Sequence, residues 1–277
     1  MFQLLFALCL IWGFNFVVMK TANEYFSPEL FVTLRFILGA SILFAYASIR
    51  KLHLPKREFW IWIAITGALQ ISIGAAIVQT CFKYLSAGLV SVLNYTMPLW
   101  VIILARIFLD EPLTKKKIIG IVTSILGVAI LMNVDISGDI FGVFLAILGA
   151  IVWAASNVIT KKKLAKCDPT ALTTWQMIFG AIFLAVYTFG FVENHVDWSF
   201  IGIACLAYNG IIASALAFFL WIYILEHMEA GKASISVLGV PVVGVIGGVL
   251  ILGEPFTISM AIGMLMVLSG IVLVQHS

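Results

Sequence analysis

Long apolar stretches, each bounded by charges or turn residues, recur down the chain, and polar residues inside them are sparse. About 20 apolar residues cross a bilayer as a helix. On that rule the windows predict helices over residues 3–20, 28–49, 59–81, 85–107 and 115–133. A second set follows over 140–160, 169–191, 198–224, 231–252 and 257–275. The tightest break, at residues 83–88, separates the third from the fourth. Ten such helices leave only short connections and tails, so no soluble domain is expected. The fold class is all-α, a polytopic membrane protein of ten transmembrane helices.

Composition agrees: 63% of the 277 residues are hydrophobic and 10% charged, with a mean hydropathy of +1.15, too little polar surface for a soluble globule. The first window lacks a basic leader and a small-residue cleavage site, so it is expected to be a retained span and not a signal peptide. Cys9, Cys81, Cys167 and Cys205 have neither CxxC spacing nor a disulfide framework and are expected to act as small packing residues. The net charge of +3 gives no basis for nucleic-acid binding, and its placement is more informative than its size. With the N-terminus in the cytoplasm, the cytoplasmic connections hold Arg50, Lys51, Lys56, Arg57, Arg106, Lys115 to Lys117, Lys161 to Lys163, Lys166 and Lys232, against Lys20 and Lys83 outside. Lysine and arginine concentrate on the cytoplasmic side of membrane proteins, which predicts both termini cytoplasmic and an even number of spans.

The chain also repeats itself. A shift of 141 residues pairs Trp12 with Trp153, Lys20 with Lys161, Pro28 with Pro169, Thr33 with Thr174 and Gly39-Ala40 with Gly180-Ala181. A shift of 143 pairs Ala87-Gly88 with Ala230-Gly231, Ser91 with Ser234, Pro98 with Pro241, Glu111-Pro112 with Glu254-Pro255, and Thr114 with Thr257. In these ungapped blocks 20 of 73 positions are identical, where composition alone gives about 6. The halves are expected to be residues 1–134 and 135–277. Each has five helices, an odd number, so the second enters the membrane upside down relative to the first. Inverted repeats place a substrate site near the midplane at their interface and alternate its access by rocking.

Two tandem five-helix halves, each with a tryptophan and a lysine eight residues later in its first helix, a proline in its fourth and a Glu-Pro before its fifth, resemble the drug/metabolite transporter superfamily, and more narrowly an EamA-family permease. The resemblance covers essentially the whole chain. It implies a ten-helix carrier in the plasma (inner) membrane of a prokaryote, often an exporter of amino acids or related metabolites, with a central cavity between the halves.

Polar side chains at membrane depth are costly unless they face a cavity or another helix, which singles out a small set. Trp12 and Asn15 share one face of the first helix, as Trp153, Ser156 and Asn157 do on the sixth. They either wall a cavity for an amphipathic molecule or pack helices together, with asparagine as hydrogen-bonding glue. Asn94 and Tyr95, with Ser91, form a stripe on the fourth helix. Gln70 and Ser72 sit near the centre of the third, and Tyr208, Asn209 and Ser214 are on the eighth. Arg35 lies about 10 Å of helix beyond Pro28, so it either snorkels to the outer surface or points inward and attracts a carboxylate or phosphate. Its repeat partner is Gln176. Pro98 and Pro241 are candidate hinges or fixed bends. Glu111-Pro112 and Glu254-Pro255 read as helix stops, with Thr114 and Thr257 capping the next helices. Gly120, Gly127, Gly263 and Gly270 keep one helix face small for close packing.

No Asp, Glu or His falls near the middle of a predicted span, which removes the usual proton-coupling carboxylate and the paired acids, HExxH cluster or nucleophile-base pair of a membrane-embedded enzyme. Related small multidrug exporters carry a glutamate in their first helix, where this chain has LIWGFNFVV. The function expected is transport of small amphipathic metabolites by alternating access, with export favoured and the substrate neutral or zwitterionic. A proton-coupled drug/metabolite antiporter is the alternative, a membrane-embedded enzyme the remoter one. No catalytic residue, metal or cofactor is expected. The expected partners are a small-molecule substrate and the lipid bilayer; a monomer suffices, and no oligomer is specified.

Overall fold

The computed structural model describes residues 2–51, 53–110, 114–133, 140–227, 237 and 239–275. The helices are α1 (Phe2–Ala22), α2 (Pro28–Ile49), α3 (Trp60–Gly67), α4 (Ala75–Cys81), α5 (Ala87–Asn94), α6 (Met97–Phe108) and α7 (Lys115–Asn133). They continue as α8 (Ile140–Lys163), α9 (Pro169–Phe191), α10 (Phe200–Ala207), α11 (Ala217–His227), α12 (Gly239–Leu252) and α13 (Ile258–Gln275). Among the described residues there is no strand, only an antiparallel bridge between Phe26 and Val196 that ties two connections together. Seven continuous stretches are long and apolar enough to cross a bilayer: Gln3–Ala22, Pro28–Ile49, Arg57–Cys81, Ala87–Phe108, Ile140–Lys163, Pro169–Phe191 and Phe200–Ile224. Helices α7, α12 and α13 lie where the fifth, ninth and tenth spans are expected.

Local chemistry explains where these helices start and stop. Pro28 and Pro169 sit in the first turns of α2 and α9, where a missing N–H costs nothing because that group has no intrahelical acceptor. Asp168 accepts from Ala171 N at 2.9 Å, Ser86 from Leu89 N at 3.2 Å and Ser199 from Gly202 N at 3.1 Å, each capping a helix. Thr114 and Thr257 cap as expected, accepting from Lys117 N and Met260 N. The chain leaves α6 through Asp110 at φ 56° and α12 through Gly253 at φ 65°, the left-handed stop that ends many helices. These two positions are related by the same 143-residue shift.

Two features depart from ten simple helices. The third and eighth spans each widen into π-helix at mid-length, over Ala68–Gly74 and Tyr208–Leu216, a local change of winding often found at functional sites. The fourth span is broken at Tyr95 and Thr96, and Pro98 stands in the first turn of α6. The expected kink around an interior Pro98 is therefore corrected to an interruption one turn earlier. Pro241 likewise occupies the first turn of α12. Glu111, Pro112, Ala230, Gly231 and Ser234, with the start of the expected ninth span, lie outside the described residues.

The principal packings cross between the halves: α1 against α12, α2 against α9, α5 and α6 against α8, and α7 against α13. Small residues permit the close approaches. A Cβ on Gly180 would stand 2.9 Å from Gly67 O and run into Ile71, while one on Gly39 would stand 3.1 Å from Ser214 Cβ and 3.2 Å from Gly210 O. Gly270 packs against Ser124 and the Gly120 carbonyl, as expected of the small faces. Large apolar side chains such as Phe6, Leu126, Phe144, Val186 and Leu265 are exposed on the outside of the bundle, the surface that lipid covers.

Candidate transport cavity

At mid-depth the first helices of both halves meet. The Trp12 and Trp153 rings touch edge to face, 5.9 Å between centroids, and both pack on Phe218, at 5.8 and 6.3 Å. Trp12 donates its indole N–H to Ala213 O at 3.2 Å, a carbonyl within the second π-helical stretch. Beside this cluster lies a cavity of about 50 Å³ lined by Trp12, Asn15, Phe16, Met19, Arg35, Gln70, Gly74, Ala75, Val78, Asn94, Tyr95, Trp153, Ala213 and Phe218. By the measure in which one water takes about 10–15 Å³ it holds a few waters, whereas ligand sites run to about 300–1,000 Å³. Entry of an organic substrate therefore requires the surrounding helices to move apart.

Of the expected site residues, Trp12, Asn15, Arg35, Asn94, Tyr95 and Trp153 line this cavity. Asn209 and Ser156 stand one step behind it. Arg35 is buried and does not snorkel; its Nη1 donates to Asn209 Oδ1 at 2.8 Å, and its guanidinium lies 4.4 Å from the Phe36 ring centre. Ser156 donates to Gln70 Oε1 at 3.1 Å, holding that amide at the cavity. The remaining two sit elsewhere: Tyr208 donates to Ile11 O at 2.9 Å, and Asn157 donates to Met97 Sδ at 3.6 Å. Asn15 donates to Met19 Sδ. Gln70, singled out from sequence as a polar residue at mid-span, also lines the wall, together with Phe16, Met19 and Phe218, which as apolar residues gave no sequence signal.

The repeat shifts recur in these contacts. Arg35 and Asn209 are related to Gln176 and Thr66 by 141 and 143 residues, and Gln176 Nε2 donates to Thr66 Oγ1 at 2.7 Å. Ser72 donates to Gly180 O at 2.8 Å, and Ser214 packs beside Gly39, the repeat partner of Gly180.

At the end of the bundle at which α1 finishes, a cluster of hydrogen bonds ties the halves together. Glu254, its side chain 7% exposed, pairs with Lys20 Nζ at 2.8 Å and accepts from Ala87 N at 2.6 Å and Gly88 N at 3.1 Å. It thereby caps α5, where free amides and the helix dipole favour an anion. Gly248 lacks the Cβ that would collide with this carboxylate. Asn23 and Gln79 add a reciprocal pair beside it, Gln79 Nε2 donating to Asn23 Oδ1 at 2.6 Å and Asn23 Nδ2 to Gln79 O at 3.3 Å. Reading Glu254 as a helix stop captured its backbone position and missed this contact between the halves.

Apolar helices of membrane-crossing length, packed around a largely apolar cavity between two related halves, define a polytopic integral membrane protein. The sequence comparisons place it more closely. The EamA-like transporter family model matches residues 2–133 and again 140–275, and the chain belongs to that family of membrane transporters. An uncharacterized transporter of Archaeoglobus fulgidus is 31% identical over 95% of this chain and 94% of its own. The uncharacterized transporter YoaV of Bacillus subtilis is 29% identical over 95% and 92%. A probable amino-acid metabolite efflux pump of Salmonella typhimurium is 27% identical over 94% and 90%. A solved crystal structure shares the fold, with a TM-score of 0.75 over 98% of this chain and 94% of that one, at 17% identity.

Proposed function

We propose that this transporter moves small amphipathic metabolites, amino acids and related compounds, out of the cell across a prokaryotic inner membrane, with both termini cytoplasmic. The reading is carried by the central cavity, where aromatic walls from both halves meet a few polar side chains of the first half at mid-depth, the combination that gives affinity and orientation for such molecules. Export is favoured by the likeness to the Salmonella typhimurium efflux pump. The small volume of the cavity and the tie at one end of the bundle support alternating access. In this reading Lys20, Ala87, Gly88 and Glu254 close the outer side. The break at Tyr95 and Thr96 and the two π-helical stretches supply the places where helices re-wind. The cavity wall contains no carboxylate, which favours facilitated movement over proton antiport. Efflux from proteoliposomes over a broad metabolite panel, with and without imposed ion gradients, tests the reading: movement of amphipathic amino acids or related compounds is expected, and no flux across the panel overturns it.

A further inference from the structure

The cavity contains a buried cation that has no counter-ion among the described residues. Arg35 is 5% exposed, no acidic residue lines the cavity, and among the described residues the salt bridge formed is that between Lys20 and Glu254, at the end of the bundle. Arg35 Nη1 has only the neutral Asn209 for a partner, and Nε is buried and makes no hydrogen bond. A buried, unpaired charge is among the costliest groups in a protein, and the fold does not require this one. The equivalent position in the second half holds Gln176, neutral and hydrogen-bonded to Thr66. Two further donors of cavity-lining residues, Gln70 Nε2 and Trp153 Nε1, are also buried and unpartnered.

We propose that the substrate supplies the missing anion: the cavity takes a small amphipathic organic acid, its carboxylate held by Arg35 with help from Gln70 and Trp153, and its apolar body against Trp12, Phe218 and Tyr95. One guanidinium with no second cation in the wall neutralises a monocarboxylate, whereas a phosphate dianion leaves a charge uncompensated. The wall offers no carboxylate to an ammonium group, so the amine of an amino acid is not the feature selected. This deepens the transport reading above and rests on it.

The test uses purified full-length protein and three probes of matched shape: 3-phenylpropanoate, its neutral amide 3-phenylpropanamide, and the cation phenethylamine. In calorimetric titrations the acid is expected to bind at least tenfold more tightly than the amide, and the amine more weakly still. Arg35→Gln, which copies the residue of the other half, is expected to make acid and amide equivalent, and Arg35→Lys to retain part of the preference. Wild-type protein that binds amide or amine as tightly as acid overturns the proposal. So does an Arg35→Gln protein that keeps the preference, or binding of none of the three. The wild-type series needs no variant to fold. Acid-selective binding with no flux over the metabolite panel would instead remove the transport reading and leave the carboxylate site standing.

Discussion

Replacing Glu254 by alanine should open the end of the bundle that it ties. The carboxylate receives two backbone amides and one ammonium within 3.1 Å. Hydrogen bonds to a charged group contribute about 1.5–3 kcal/mol each, but the Lys20 side chain is 32% exposed and rehydrates when released, so its pairing is worth under about 1 kcal/mol. The two amides at the start of α5 carry most of the effect. Together they give about 3 kcal/mol for Glu254→Ala, and roughly half for Glu254→Gln, whose carbonyl still accepts. These bonds exist only while this end is closed, so the change raises the open population by about 150-fold, at tenfold per 1.4 kcal/mol. The assay is labelling of Ala75→Cys, on the cavity wall, in a background without native cysteines, by an impermeant maleimide added from the Lys20 side. Its rate should rise by about two decades with Glu254→Ala, about one with Glu254→Gln, and less than fivefold with Lys20→Met. A Glu254→Ala protein that melts earlier but labels at the wild-type rate would show that the cluster supports the fold without gating the cavity.

Trp12→Ala and Trp153→Ala should each reduce transport at least tenfold while leaving membrane insertion intact; wild-type rates in both would remove the aromatic wall from the mechanism. Gly180→Ala should destabilise by about 1–3 kcal/mol, the usual cost of overpacking, because its Cβ meets Ile71 and Gly67 O, whereas Gly190→Ala, with nothing within 4 Å, should leave the melting temperature unchanged. Collapsing a pH gradient should leave the transport rate unchanged, and strict dependence on the gradient would establish proton coupling. Burial, with the Asp168 charge adding to it, pushes the Cys167 thiol up to about 11. The thiolate is the reactive form, so native protein should resist thiol reagents at this site at pH 7, with labelling rising about tenfold per pH unit up to pH 10.

Helix limits were legible because their causes are local. Residues 28–49 and 169–191 begin at prolines and end where apolar sequence gives way to polar residues, and the structure places α2 and α9 over the same residues. The two tryptophans were legible as a pair through the repeat, though not as touching each other. What stayed hidden depends on winding and on distant neighbours. Apolar periodicity does not separate α from π geometry over seven to nine residues, so Ala68–Gly74 and Tyr208–Leu216 read as plain helix. The direction of Arg35 was undecided because α2 is apolar all round and only Asn209, far along the chain, fixes it. Ser156 and Asn209 were candidates either to line the cavity or to join helices. They orient the groups that line the cavity, a distinction that spacing on one helix cannot make.

The bond from Arg35 to Asn209 joins residues 174 positions apart, and this has a consequence for biosynthesis. At about 5–20 residues per second of synthesis, α2 is made roughly 9–35 s before the segment carrying its asparagine. For that interval the guanidinium must be accommodated by a half-built protein in lipid. Its position some two turns from the Pro28 end of α2 leaves the long side chain within reach of the headgroup region, so the nascent helix can keep the charge hydrated until Asn209 arrives. The inward conformation then belongs to the finished bundle, because only there does Asn209 stand opposite.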